Sequence, residues 1–147
     1  MGGFMVKARF DANVSELTRV IEFVNGSLVK VGWDKELLPT MDIAVEEIFV
    51  NIASYAYEDL PDAHKYADIT VDTDKKGGAK IIFEDEGVEY NPLLRNDPDL
   101  TLPAQDRKIG GLGIYMVKMS MDKVDYERIG GRNVLTIMKK SESGEKV

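Results

Sequence analysis

Three short stretches of this chain carry the residue types that a nucleotide pocket needs. Asp85-Glu86-Gly87 closes the apolar run Ile81-Ile82-Phe83, so a strand would deliver a carboxylate to a turn. There it can accept a hydrogen bond from an amino group such as that of adenine, and Gly87, with no Cβ, lets backbone lie against a flat ring. Further along, Gly110-Gly111-Leu112-Gly113 opens an amphipathic stretch. Glycines at a helix start leave free N–H groups and the positive end of the helix dipole to face phosphate oxygens. Upstream, Glu47, Asn51 and Tyr55 succeed one another at one-turn spacing on a helix face. A carboxylate and a carboxamide so placed suit a magnesium-nucleotide site, because Mg²⁺ takes oxygen ligands and needs only one or two from protein beside phosphates and waters. Asn51 is the candidate metal ligand, and Glu47 the candidate base for an attacking hydroxyl or water. Each signal taken alone has a plainer reading: an ordinary turn, a tight connection, the solvated side of a helix.

Glu47-x-x-x-Asn51 on a helix, Asp85-x-Gly87 after a strand and Gly110-Gly111-Leu112-Gly113 before a helix stand in the order of the N, G1 and G2 boxes of the GHKL ATPase superfamily. Within it the chain resembles the small stand-alone serine kinases that act as anti-sigma factors in bacterial partner switching. The runs Asp85 to Pro92, Gly110 to Asp122 and Gly131 to Thr136 resemble their first box, second box and closing strand. The resemblance implies a Bergerat-type ATP-binding fold with ATP and Mg²⁺ as cofactors. It implies that Asn51 holds the metal, Glu47 is the general base, Asp85 binds the adenine amino group and Gly87 lines the base. The second box, Gly110, Gly111, Leu112 and Gly113, would meet the phosphates, and Thr136 would support the adenine contact through water. It also implies protein partners: an anti-anti-sigma protein phosphorylated on serine, a sigma factor competing for this chain, and a possible homodimer. Two positions depart from the family pattern. Glu89 stands where many members have a second glycine, and Tyr55 where many have histidine; neither change removes a proposed catalytic group.

A formal charge of −7 and the lack of a basic stripe argue against a nucleic-acid surface. An acidic body that binds an anionic nucleotide needs local positive charge, and Lys108 or Arg107, just before the glycine cluster, can supply it at the β/γ-phosphates. The absence of cysteine excludes disulfides and agrees with a reducing cytoplasm. With no apolar run near transmembrane length and no signal-peptide pattern, a soluble cytoplasmic protein is expected. At 147 residues the chain suits one ATP-binding domain over 1–147.

The elements expected to carry these residues alternate as α/β. Residues near Phe4 to Phe10 read as a strand. Asn13 and Glu16 form a capping box for a first helix buried along Val14, Leu17, Ile21, Val24, Leu28 and Val31. Leu37-Leu38-Pro39 breaks the chain, and Thr40 caps the next helix, whose stripe Met41, Ala44, Val45, Ile48, Phe49, Ile52, Ala53 and Ala56 faces the core. Strands over 67–73 and 79–84 join through Lys75-Lys76-Gly77-Gly78, and strands over 124–129 and 133–138 through Gly130-Gly131. The polar stretch of about 90–110 reads as a mobile ATP lid. The expected architecture is a two-layer α/β (α+β) sandwich: a mixed, largely antiparallel sheet with helices on one face. Two other classes share these motifs, an ATP-sensing binding module without kinase activity and a histidine-kinase catalytic domain detached from its dimerisation helices. His64, the only histidine, lies in a polar loop rather than on a helix that could present it for phosphorylation.

Overall fold

Alternation of buried and more exposed side chains marks Phe4–Asp11 (β1), Gly78–Asp85 (β3) and Arg132–Lys140 (β5) as strands. Tyr66–Thr73 (β2) and Lys123–Ile129 (β4) complete a five-stranded sheet of order β1-β2-β3-β5-β4. The computed structural model describes residues 3–61, 63–94 and 112–141. The expected lid over 90–110 and the candidates Arg107, Lys108, Gly110 and Gly111 therefore fall wholly or mostly outside the described residues. Among the described residues every strand pair is antiparallel, so the largely antiparallel sheet expected contains no parallel pair there. The reason is the hairpin: β4 turns back as β5, and β5 rather than β4 takes the place beside β3. The hairpin turns at Gly130 and Gly131, both with positive φ of 56° and 77°, which glycine adopts without steric cost.

Among the described residues three α-helices cover one face: α1 (Leu17–Lys30), α2 (Leu38–Asn51) and α3 (Leu112–Ser120). Asn13 accepts a hydrogen bond from the Ser15 amide and starts a 3₁₀ turn ahead of α1. The reciprocal half of the expected capping box is missing, because Glu16 accepts from Arg19 and the Asn13 amide goes to the Asp11 carbonyl. The buried stripe of α1 runs through Val20, Val24, Ser27 and Leu28, while Val14 is half exposed; the 3₁₀ turn rotates Val14 off the helical face. Pro39 does not break the chain but sits in the first turn of α2, where its missing N–H costs no hydrogen bond. Asp34, not Thr40, caps the preceding turn, accepting from the Glu36 amide.

Met41, Val45, Ile48 and Phe49 of α2 are almost wholly buried against Ile69, Val71, Ile81, Phe83 and Ile137 of the sheet. After Asn51 the helix loosens into one turn of π-helix, Ile52–Ala56. Such a turn inserts a residue into the hydrogen-bond ladder and redirects the chain beyond it. Trp33, buried between α1 and α2, donates its indole N–H to the Gly77 carbonyl, which pins the helix layer to the β2–β3 hairpin. Among the described residues no helix is long and apolar enough to cross a membrane.

Candidate nucleotide site

The site is assembled along α2. Glu47 and Asn51 lie one turn apart, and the Asn51 Nδ2 donates to Glu47 Oε2 at 3.1 Å. That bond settles the amide's orientation, since the opposite one would set two acceptors against each other. It leaves Asn51 Oδ1 without a hydrogen-bond partner among the described residues.

Gly113, in the first turn of α3, lies against the same carboxylate. A Cβ there would fall 2.1 Å from the Glu47 carboxyl carbon and 2.2 and 2.3 Å from its oxygens. Only hydrogen fits between α3 and the Glu47 head group. The start of an α-helix such as α3 is also where a negative charge is favoured. Leu112 opens α3 at the edge of the described residues.

At the other end of α2, Gly87 meets the π-helical turn. A Cβ on Gly87 would fall 2.3 Å from the Ala56 carbonyl oxygen, and that oxygen accepts from the Val88 amide at 2.9 Å. One helix and its extension thus touch both glycine motifs, although Gly87 and Gly113 are distant in sequence.

Asp85 ends β3 on the helix-covered face and is buried. Its Oδ1 accepts from the Gly87 amide at 2.8 Å and from Asn133 Nδ2 at 2.9 Å. Burial pushes its carboxyl above the usual carboxylate range, opposed by these two hydrogen bonds and by Arg128 and Arg132. The turn after Asp85 is held from several sides. The Tyr57 hydroxyl donates to the Tyr66 carbonyl and accepts from the Glu86 amide, the Tyr66 hydroxyl bonds Glu86, and Arg128 donates to the Gly87 carbonyl at 2.9 Å.

Thr136 is not part of this cluster. In β5 the buried row is Asn133, Leu135 and Ile137, so Thr136 belongs to the opposite row and lines a shallow groove on the uncovered face with Ile82, Val134 and Met138. The residue that faces Asp85 is Asn133, its cross-strand partner in the β3–β5 ladder. Asn133, Tyr57 and Arg128 were not among the candidates read from sequence. Asn133 shares a row with Leu135 and Ile137, but Val134 and Met138 make the other row apolar as well, so alternation does not single it out; Tyr57 and Arg128 reach the turn only through the fold. Tyr55 is exposed. His64 is also exposed, in the loop before β2, with its ring against Tyr66.

The described site is thus an acidic residue and an asparagine on one helix, a buried aspartate at a strand end and a glycine at the start of a second helix, on a helix-backed antiparallel sheet. The model of the histidine kinase-like ATPase domain family matches residues 10–139, and the chain belongs to that family. It is similar to the serine-protein kinase RsbW of Halalkalibacterium halodurans, 27% identical over 126 residues, 80% of this chain and 72% of the relative. It is also similar to the serine/threonine-protein kinase BtrW of Bordetella bronchiseptica, 26% identical over 105 residues, 71% of this chain and 72% of the relative. A crystal structure of the RsbU and RsbW domains of Rv1364c from Mycobacterium tuberculosis shares the fold, with a TM-score of 0.66 at 14% identity over 94% of this chain. This chain spans 32% of that solved chain.

Proposed function

We propose that the protein is a Mg²⁺-ATP-dependent kinase that phosphorylates serine on a protein partner. The observation that carries the reading is the convergence on α2: Gly113 packed on the Glu47 carboxylate, and Gly87 on the carbonyl that ends the helix bearing Asn51. The names of the relatives, serine and serine/threonine kinases, support it. Asp85 is the acceptor for the adenine amino group, and Gly87 lies against the base.

Among the described residues no three acidic or histidine side chains cluster as a metal cage. Asn51 Oδ1 beside a carboxylate fits Mg²⁺ that arrives with nucleotide and keeps its phosphate and water ligands. When bound, the metal would neutralise charge on the phosphates. Glu47 takes the proton from the serine hydroxyl as its oxygen bonds the γ-phosphorus and the bond to the β–γ bridging oxygen breaks; ADP leaves with that electron pair. We further propose an anti-sigma role with Lys108 or Arg107 and the second glycine box at the phosphates. A sigma factor and the unphosphorylated antagonist then compete for this protein, and phosphorylation releases the antagonist.

Calorimetric titration with ATP and Mg²⁺ tests the pocket. Wild type should bind at micromolar concentration, Asp85→Asn should lose binding, and Asn51→Ala should bind with little dependence on the metal. Incubating radiolabelled ATP with candidate antagonist proteins tests the transfer. Acid-stable label on the partner's serine, abolished by Glu47→Gln without loss of ATP binding, is expected. Acid-labile label on His64 would overturn the serine-kinase reading, and regulation of partners undisturbed by Glu47→Gln would reduce the protein to an ATP-sensing module.

A further inference from the structure

We propose that Asn133 is a positioning residue that decides which oxygen of Asp85 reads a purine's amino group, and thereby sets base specificity. The inference rests on the reading of Asp85 as the base contact. Asn133 is 6% exposed and lies directly across the β3–β5 ladder from Asp85, on the same sheet face. Its carboxamide is used completely. Nδ2 donates to Asp85 Oδ1 and to the Val88 carbonyl, both at 2.9 Å, and Oδ1 accepts from the Tyr90 amide and the Tyr126 hydroxyl. Neither orientation nor identity is free: two acceptors on one side demand an NH₂, and an amide N–H on the other demands an oxygen.

The consequence falls on Asp85. With Asn133 Nδ2 and the Gly87 amide both on Oδ1, the carboxylate plane is fixed and that oxygen is saturated. Oδ2 has no hydrogen-bond partner among the described residues, so the turn offers one oriented acceptor. An exocyclic amine satisfies it, whereas a carbonyl at the same ring position would set lone pair against lone pair. Without Asn133 the carboxylate keeps a single donor and can turn about its χ2 axis, which spreads the acceptor over several directions. Thr136, on the other face of the sheet, has no access to this role.

The test is equilibrium binding of ATP and of purine riboside triphosphate, which lacks the amino group, to wild type, Asn133→Ala, Asn133→Thr and Asp85→Asn, with unfolding midpoints measured alongside. Wild type should prefer ATP by roughly 10-fold or more, the usual size of one hydrogen bond to a charged group. In Asn133→Ala that preference should shrink several-fold while affinity for the amine-free analogue changes by less than about 2-fold. Asn133→Thr, which keeps a hydroxyl donor, should fall between the two and gives the same comparison should the alanine variant not fold. An unchanged preference in the Asn133 variants, or equal losses for both ligands, overturns the inference and leaves Asn133 a structural support. A wild type without preference, or a preference that survives Asp85→Asn, overturns instead the reading of Asp85 on which the inference rests.

Discussion

Asp85 and Asp68 lie on opposite faces of one sheet, both buried, and their environments push their carboxyls in opposite directions. The hydrogen bonds from Arg9 hold Asp68 below the usual carboxylate range, helped by Arg132; burial raises Asp85 above it. Linkage gives the signs. The Asp68 pairs stabilise the fold above the usual carboxylate range, and that contribution is lost as pH falls towards the lowered folded value. Ionising Asp85 costs stability, and the cost grows as pH rises from the usual range through the raised folded value. Urea midpoints against pH should therefore show Asp68→Asn losing most near neutrality and least in acid. Asp85→Asn should gain on wild type as pH rises, while losing ATP. Two variants that shift with the same sign would contradict this assignment. Gly113→Ala isolates a second residue effect. The group a Cβ would strike is the flexible end of Glu47, and alanine favours a helix over glycine by roughly 0.5–1 kcal/mol. The fold should hold or gain while the displaced base costs roughly 100-fold in phosphotransfer rate. Unaltered transfer by this variant would mean that the Glu47 carboxylate does not act from the place it occupies beside α3.

Among the elements, α2 with its π-helical turn is the piece on which the site depends. The helix is fixed by the core through Met41, Val45 and Ile48, and the end of its π-helical extension is fixed to the Asp85 turn by the Val88 amide on Ala56. Gly87→Ala differs from Gly113→Ala because the atom struck is backbone: a Cβ would sit 2.3 Å from the Ala56 oxygen. Relief requires moving either α2's end or the turn. The expected cost is roughly 1–3 kcal/mol in denaturant unfolding, as for overpacked interiors, together with a fall in ATP affinity that Gly113→Ala does not share in kind. A Gly87→Ala protein of wild-type stability would show that this junction has slack.

At the scale of the molecule, the two sheet faces divide the work. One face carries the apolar core and, where β3 and β5 meet, Asp85 and Asn133. The other carries the network Arg9, Asp68, Arg132 and Glu84, with the Arg9 guanidinium 3.8 Å from the centre of the Tyr66 ring. Because the proposed nucleotide would rest on α2, α3 and the turn after β3 together, its binding energy should appear as stability of the whole fold. With ATP and Mg²⁺ at 100 times the dissociation constant, linkage adds roughly 2.7 kcal/mol, a rise of roughly 5 to 10 °C in the melting midpoint for a chain of this size. Asp85→Asn should abolish the rise. A wild-type midpoint indifferent to ATP and Mg²⁺ would leave the pocket without its proposed ligand.

Much of this was legible in the residues. The helical spacing of Met41, Val45, Ile48 and Ile52 is enough to place Glu47 and Asn51 away from the core, and the alternation in β3 is enough to send Asp85 inward from its last position. Glycine at 87 and 113 was visible too, though not the reason for it. That reason is contact between distant segments: the Ala56 carbonyl and the Glu47 carboxylate occupy the space a side chain would need. Thr136, put forward by the family resemblance alone, stands on the sheet face away from Asp85, a placement that residue spacing could not foretell. In β5 both rows are largely apolar, Val134, Thr136 and Met138 against Leu135 and Ile137, so a period of two cannot say which row meets the helices. Local sequence fixes periodicity and chain direction, because those arise from neighbouring dihedrals and side-chain volume. The register of β5 against β3, and with it the choice of Asn133 as the partner of Asp85, comes from pairing across the sheet and was decided only when the chain folded.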